Sequence, residues 1–337
     1  MDLADESPRG IAAYDTAGGR GMSVLNAMYY LFKPFLPQTV RYTMRRLRAN
    51  YKLQTAKDWP IMLSAGEAPA GWPGWPDGKQ FAVVLTHDVE GPVGLERCHQ
   101  LAALELKHGF RSSFNLIPEG GYEVTPEFRK SLTDLGFEIG VHDLRHDGSL
   151  YRSKKSFDEC SVAINGHLRE WRAVGFRAGF MFHNLEWLKN LDIDYDASTF
   201  DTDPFEPQPD GAGTIFPFVV KGSTPEESYV ELPYTLPQDV TLYLILRQQT
   251  NEIWCEKTDW LAERGGMVLA NVHPDYVAFD GRKPTISEFD AALYEDFLCH
   301  IKEKHAGRYW NPLPREMSQY IAGMPAASPL ATRAAAP

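Results

Sequence analysis

The sequence alternates short apolar runs of strand length with longer segments of helical periodicity, and this alternation constrains the fold more than any other feature. Phe81–Leu85 is a continuous apolar run typical of a buried strand. A helical segment at 95–108 follows it, then a strand at Ser112–Ile117 and a helix at 125–135 that is entered through a threonine and a proline. Because parallel strands need crossover segments of this kind, the alternation predicts an α/β protein with a parallel sheet.

The alternation continues along most of the remaining chain, and the number of repeats favours a barrel. Further strands are predicted at Phe137–Val141, Gly175–Arg177, Tyr195–Ala197 and Met267–Val272, with helices at 154–171 and 286–305. Residues 66–323 are therefore assigned to one domain, which opens with a loop rich in Gly, Pro and Trp.

Composition excludes several classes of function. A formal net charge of -11 argues against a nucleic-acid-binding protein, which needs a basic face. Neither a P-loop nor a Rossmann glycine fingerprint is present, so nucleotide binding has no support. The four cysteines form no CxxC pair, which argues against a thiolate zinc site or a thioredoxin-type redox centre. They are Cys98, Cys160, Cys255 and Cys299.

The amino-terminal region divides into two parts. Residues 1–21 are predicted to be a disordered leader, and residues 22–65 a basic amphipathic helical extension. Within it, 22–52 has two interpretations: an anchor on anionic lipid, or a helical hairpin packed on the catalytic domain. The start of the chain lacks a secretory signal and no apolar run is long enough to span a membrane. We therefore expect a cytoplasmic protein, which the lipid-anchor interpretation would place as a peripheral protein at the inner membrane surface. Residues 324–337 are predicted to be a disordered tail.

Polar residues follow two of the predicted strands, where loops of parallel α/β proteins collect catalytic groups. Asp88 and Glu90 come after the first strand, and one such carboxylate can bind a metal while the other acts as a base. Acids in this place also commonly cap the next helix. His142 and His146 would meet on one face if their segment is helical, although such pairs also occur as surface residues. One acid and two histidines leave coordination positions open, as in a catalytic metal site.

Three further candidates follow later strands. Arg177 and Asp196 lie at predicted strand ends, and His273 comes directly after an apolar strand and before a proline. A histidine held in that way can act as a proton donor. Each of these also has an ordinary interpretation, as a surface ion pair for Arg177 or a hydrogen-bonded structural histidine for His273.

The order of these elements resembles that of the polysaccharide deacetylases, the NodB-homology or carbohydrate esterase family 4 group, over residues 81–300. The family's first motif, Thr-Phe-Asp-Asp-Gly, is matched loosely by Thr86–Glu90. Its second, His-(Ser/Thr)-x-x-His, is matched by His142 and His146. The resemblance implies a distorted (β/α)7-type barrel, here with an amino-terminal helical extension.

The remaining motifs follow in the family's order. An Arg-centred motif is matched by Arg177 and an Asp-x-Ser motif by Asp196 and Ser198. The last motif, a leucine shortly before a histidine, is matched loosely by His273, with Leu269 and Val272 as the nearby apolar residues. The Arg motif lacks its usual proline and reads Arg-Ala-Gly. His87 and His183 are extra histidines near the motifs that could join the site.

The resemblance also implies roles for these residues. Glu90, His142 and His146 would hold Zn²⁺, or another divalent metal such as Co²⁺ or Ni²⁺, and Asp88 would be the general base. Because the first motif reads Asp88-Val89-Glu90, an exchange of roles between the two acids stays open. Arg177 would hold Asp88, while His273 would be the general acid and Asp196 would hold it.

The expected function is removal of an N-acetyl or related acyl group from a sugar, in cell-surface polysaccharide biosynthesis. A carbohydrate substrate is the expected partner. The alternatives are a hydrolase of a non-sugar amide bond on the same fold and a non-catalytic carbohydrate-binding scaffold. Four aromatic residues would suit stacking on sugar rings, although aromatics more often fill cores. They are Trp72, Trp75, Tyr234 and Tyr276.

Overall fold

The structure is a computed structural model that describes residues 38–208, 210–279 and 281–324. The predicted leader, residues 22–37 of the predicted extension and residues 325–337 of the predicted tail lie outside the described residues. Among the described helices, none combines the length and the apolar character that crossing a membrane requires.

The described elements alternate as the sequence predicts. The strands are β1 (Phe81–Val89), β2 (Ser113–Leu116), β3 (Glu138–His142), β4 (Gly175–Arg177), β5 (Tyr195–Asp196), β6 (Phe218–Val220), β7 (Tyr229–Glu231), β8 (Met267–Asn271), β9 (Val277–Ala278), β10 (Phe289–Asp290) and β11 (Tyr309–Trp310). The α-helices are α1 (Gln38–Thr55), α2 (Pro92–His108), α3 (Pro126–Thr133), α4 (Lys154–Trp171), α5 (Leu185–Leu188), α6 (Glu252–Arg264), α7 (Ala291–Lys304) and α8 (Pro314–Ala322). Short 3₁₀ helices and a π-helix at Val240–Ile245 complete the set.

The main sheet is built around β1. It pairs in parallel with β8 on one side and β2 on the other, and β3, β4, β5 and β7 continue the parallel order. The edge strand β6 runs antiparallel to β7. Beyond β7, the N–H groups of Thr235 and Leu236 donate to the carbonyl of Leu269 in β8. These bonds bring the far side of the sheet back to β8, which gives the curled barrel that we predicted.

Local sequence explains the boundaries of several elements. The side chain of Thr125 accepts a hydrogen bond from the N–H of Phe128 at 3.1 Å and caps α3, as the Thr-Pro pair predicts. Every residue of β1 is buried. Burying each large apolar side chain of such a strand contributes about 1.5–3 kcal/mol.

Several described elements were not predicted, namely β6, β7, β9, β10, β11, α5, α6 and α8, and β1 is longer than predicted. β1 continues beyond Leu85 to Val89, so Thr86–Val89 of the first motif lie on the strand and Glu90 directly follows it. Helix α6 was not predicted because its buried face includes Lys257 and Thr258, which weaken the hydrophobic periodicity. The ammonium of Lys257 is fully buried and lies 2.8 Å from the carboxylate of Asp201, which makes its burial tolerable.

Helix α1 lies against the π-helix. The guanidinium Nη2 of Arg46 donates to the carbonyl of Leu244 at 2.9 Å, and Tyr42 and Ala49 are buried. One side of the helix is therefore fixed to the barrel. The other side carries exposed apolar residues.

Candidate metal centre

The carboxyl ends of β1, β3 and β8 place the predicted residues near one another. Because successive side chains of a strand point to opposite faces, Asp88 points to one face of β1 and His87 to the other. His87 is bonded to Glu105 in α2 and to the carbonyl of Val272. It therefore supports the strand from outside and does not join the site.

The two histidines of the second motif come together without a helix. His142 ends β3, and His146 lies in a turn with a positive φ of 55°. Their ring centroids are 4.9 Å apart. The segment is not helical, because Asp143 also has a positive φ, of 56°, which a continuous helix does not allow, yet the two imidazoles still meet.

His142 has the hydrogen bonding of a metal ligand. Its Nδ1–H donates to the carbonyl of Arg177 at 3.1 Å, while its buried Nε2 has no hydrogen-bond partner among the described residues. Burial lowers the pKa values of His142 and His146 and keeps their imidazoles neutral, which is the form that binds a metal. An unpaired buried nitrogen is costly unless something else satisfies it.

Glu90 completes this group. Its ligand atom and those of His142 and His146 all lie within 4.8 Å of one another. We call these three residues the barrel cluster. Tyr276 donates to Glu90 Oε2 at 2.5 Å, so Oε1 is the oxygen left to face His146 Nε2, 3.6 Å away. Burial raises the pKa of Glu90 to about 8. The charge of His273 acts against this shift, and the charge of Asp275 adds to it.

Asp88 is held differently from Glu90. Asn115 donates to its Oδ1 at 2.9 Å and Asn271 to its Oδ2 at 2.8 Å, from the two strands that flank β1. The buried guanidinium of Arg177 lies 3.5 Å from Oδ1. Burial raises the pKa of Asp88, but the charges of Arg177, His142 and His273 outweigh it and hold that pKa well below its usual range. The expected contact with Arg177 is therefore present, and the two asparagines are additions that the sequence analysis missed.

His273 faces the barrel cluster from the end of β8. Its Nε2 lies 3.8 Å from Glu90 Oε1, and its Nδ1–H donates to Asp239 at 2.7 Å. The backbone N–H of His273 donates to the other oxygen of Asp239 at 2.7 Å. Burial lowers the pKa of His273, yet the carboxylate of Asp239, with help from Glu90 and Asp88, raises it to about 10.

The expectation that Asp196 holds His273 is wrong. The two carboxylate oxygens of Asp196 accept hydrogen bonds from the N–H and hydroxyl of Ser198. Burial and the neighbouring Asp196 also raise the pKa of Glu231, so these two acids interact with each other within the core. The hydroxyl of Ser198 donates to Asp196 and its oxygen accepts from Ala178 N–H, which ties the Asp-x-Ser motif to the loop after β4.

The glycine in the Arg-Ala-Gly motif has a steric reason. A Cβ atom on Gly179 would lie 2.5 Å from a carboxylate oxygen of Asp143 and 2.8 Å from Cδ2 of His146. The next residue, Phe180, stacks on the ring of His146 with centroids 4.5 Å apart. The loop after β4 thus packs directly on the second motif, and this contact requires the residue without a side chain.

The other proposed site residues lie elsewhere. His183 is bonded to the carbonyls of Met181 and Asp210. Trp75, Tyr234 and Tyr276 are buried, so they are core residues and not a sugar-stacking surface. The fourth aromatic, Trp72, is half-buried and packs edge-on against Trp75 and Phe216.

A second group of the same residue types lies at the opposite end of the barrel. The ligand atoms of Asp259, His300 and His305 also lie within 4.8 Å of one another, and we call these residues the helix cluster. The ring of His305 contacts Phe81 at the start of β1, with centroids 5.1 Å apart. The described residues thus offer two candidate cation sites at two ends of one strand.

Comparison with solved structures supports the fold. A structure from Mycobacterium smegmatis described as a polysaccharide deacetylase matches with 20% identity and a TM-score of 0.57, covering 76% of this chain and 94% of that chain. A peptidoglycan deacetylase from Bacillus subtilis matches with 13% identity, 73% and 92% coverage and a TM-score of 0.43. A CE4 family pseudoenzyme from Bacillus anthracis matches with 14% identity, 73% and 67% coverage and a TM-score of 0.43.

The first of these likenesses establishes that the chain has the fold of the polysaccharide deacetylases, as the motifs predict. No family model and no curated protein matches the sequence. At 20% identity the likeness establishes the fold and not the activity. The activity has to be argued from the site.

Proposed function

We propose that the protein is a metal-dependent hydrolase that removes an N-acetyl or related acyl group from a carbohydrate, in the formation of a cell-surface polysaccharide. The observation that carries the proposal is the buried Nε2 of His142, which no described residue hydrogen-bonds, beside the carboxylate of Glu90 and the ring of His146. These atoms converge where a parallel barrel places catalytic groups, at the carboxyl ends of its strands.

The barrel cluster suits a divalent cation, and its two nitrogens and one oxygen favour zinc over magnesium or calcium. A cation bound there supplies an activated water and polarises the acyl carbonyl. Tyr276 fixes the carboxylate of Glu90, and the carbonyl of Arg177 fixes the tautomer of His142. Such supporting hydrogen bonds orient the ligands of metal sites.

Asp88 is the proposed general base. Its low pKa keeps it ionised, and two asparagine amides fix the direction of its lone pairs. Asp88 would take a proton from the attacking water, and that proton would pass to His273 once His273 has given its own proton to the leaving amine, because the pKa of His273 is far higher. Glu90, whose ligand atom lies with those of the histidines, is accordingly assigned as the ligand and Asp88 as the base.

His273 is the proposed general acid. Asp239 accepts from both its ring Nδ1–H and its backbone N–H, so the imidazole cannot rotate away from the site. The raised pKa keeps the ring protonated, with Nε2–H directed towards Glu90 and the space beside it. That proton can pass to the leaving amine as the C–N bond breaks.

The test is an assay of acetate release with the purified protein after treatment with a chelator. N-acetylated oligosaccharides, O-acetylated sugars and simple or cyclic amides are compared, with and without added Zn²⁺, Co²⁺ or Ni²⁺. We expect one acetate and one free amine for each bond broken in an N-acetylated sugar, only with added metal.

Two outcomes would contradict the proposal. Hydrolysis of cyclic or linear amides with none of the sugars would identify an amide hydrolase on the same fold. Sugar binding with no acetate release at any metal concentration would identify a carbohydrate-binding scaffold.

A further inference from the structure

We propose that α1 binds the surface of an anionic lipid bilayer through an apolar stripe that faces away from the barrel. The stripe consists of Val40, Met44, Leu47 and Tyr51, with exposed fractions of 41%, 44%, 66% and 69%. Their spacing of four, three and four residues places them on one face of the helix. A continuous exposed apolar face on a fixed helix marks an interaction surface.

The opposite side of α1 is fixed to the barrel, so the helix cannot rotate to bury the stripe. Tyr42 and Ala49 are buried against the barrel, and Arg46 donates two hydrogen bonds to the carbonyl of Leu244. Lys52 also donates to the carbonyl of Pro204. Turning the stripe inwards would break all of these contacts, so the stripe stays outside while the helix remains docked.

The charge of α1 favours an anionic bilayer as the binding partner of the stripe. The helix has four arginines, one lysine and no acidic residue, in a chain whose net charge is -11. A second copy of the chain that met this helix with its own α1 would present the same positive charge and be repelled. Arg46 and Lys52 are bonded to the barrel, so the charge beside the stripe comes from the other arginines, of which Arg48 is exposed. Anionic lipid headgroups attract such residues, with about a fivefold gain in binding for each basic residue near the surface, while the apolar stripe enters the headgroup boundary.

The position of α1 determines which end of the barrel would lie near a bound bilayer. The helix packs on Val240–Ile245, the segment that directly follows Asp239, the partner of His273. Its Tyr42 hydroxyl lies 3.4 Å from the hydroxyl of Ser287, in the segment that follows β9. A bilayer bound to α1 would therefore lie beside the end of the barrel that carries the candidate metal centre.

The test is flotation of the full chain with vesicles of phosphatidylcholine alone and of phosphatidylcholine with 30 mol% phosphatidylglycerol. We expect binding to the anionic vesicles at least about tenfold stronger than to the neutral ones, and weaker at high salt. The double variant Leu47→Ser/Tyr51→Ser should lose this binding. The matched control is Val162→Ser, which removes an apolar side chain with an exposed fraction of 72% from α4.

Replacing Arg45 and Arg48 with glutamine tests the charge separately and should weaken binding by about tenfold or more. Equal binding to both vesicle types, no binding to anionic vesicles, or full binding by the stripe variant would overturn the proposal. Circular dichroism confirms folding of each variant. Because the readout is binding, loss of acetate release in the assay above would not affect it.

Discussion

The barrel cluster and the helix cluster contain the same residue types, one carboxylate and two imidazoles, but they differ in what surrounds the ligand atoms. In the barrel cluster, the Nε2 of His142 is buried without a hydrogen-bond partner in the part of the chain that the structure describes. In the helix cluster, Asp259 Oδ1 accepts from Nε2 of His300 at 3.0 Å and of His305 at 2.8 Å. The ligand atoms of the helix cluster are therefore already satisfied by one another.

The neighbouring charges differ as well. Lys304 donates to Asp259 Oδ2 at 2.7 Å, and Arg308 lies 3.3 Å from Nδ1 of His305. Because Arg308 can only donate, His305 Nδ1 must accept, which places the ring hydrogen on the Nε2 that a metal would need. In the barrel cluster, the partner of His142 Nδ1 is a carbonyl, which fixes the opposite tautomer. Residue type alone therefore does not define a metal site.

The largest expected effect comes from removing one imidazole from each cluster. We expect His142→Ala to weaken zinc binding by more than about a hundredfold and to abolish acetate release with it, because a direct ligand matters at least as much as the residues that support it. His300→Ala, the matched change in the helix cluster, should leave both unchanged. Zinc content is measured by mass spectrometry of the dialysed protein, with one ion per chain expected for the wild type.

Loss of the bound ion in His300→Ala, with His142→Ala unaffected, would reverse the assignment of the two clusters. Two tightly bound ions in the wild type would mean that the helix cluster binds metal despite its hydrogen bonds. Either result would mean that the hydrogen bonding of the ligand atoms does not decide which cluster binds the metal.

A third imidazole lies beside the barrel cluster, and it provides the next test. His273→Ala should retain zinc while turnover falls by about a hundredfold, because only the proton donor is lost. Asp239→Asn should have a similar effect, since the amide cannot hold the imidazolium. Asp196→Asn should leave turnover unchanged. A variant series in which Asp196→Asn is the inactive one would restore the role that the motif implied.

Local patterns predicted most of the fold because the strands at the centre of the barrel are buried on both faces. Apolar runs such as Phe81–Leu85 follow directly from that burial. Helix α6 escaped prediction because its buried Lys257 is paired with Asp201, a residue 56 positions away. A pattern confined to one segment cannot show that a distant carboxylate makes a buried lysine acceptable.

The same limit applies to the site. The residue types of the barrel cluster were visible in two short motifs, but the partners that orient them come from other strands. Asn115 lies opposite Asp88 in the register of β1 and β2, and a polar residue within an apolar strand was its only signal. Asp239 precedes an apolar run and caps it, which concealed its contact with His273.

Removing the two basic side chains beside the helix cluster tests whether their charge is what prevents zinc from binding there. In a His142→Ala background, the further changes Lys304→Ala and Arg308→Ala should strengthen zinc binding at the helix cluster by about tenfold, since one unit charge about 4 Å away is worth about 1–4 kcal/mol. Titration calorimetry measures the affinity, and the same changes with His300→Ala serve as the control. If zinc affinity does not rise, the neighbouring cations are not what separates the two clusters.

The smallest expected effect concerns the role that the helix cluster has without a metal. Burial raises the pKa of Asp259, but hydrogen bonds from Lys304, His305 and His300 outweigh it and lower the pKa below its usual value. The stabilisation from this carboxylate is therefore present above the unfolded pKa of an aspartate, about 3.9, and is lost as the pH falls through the lower folded value. Because solvent screens the interaction of this carboxylate with its neighbours, Asp259→Asn should lower the free energy of unfolding by only about 0.5 kcal/mol near pH 7. Urea unfolding of the two proteins should show this difference narrowing between pH 5 and pH 3, whereas a constant difference would mean that the side chain acts by packing and not by charge.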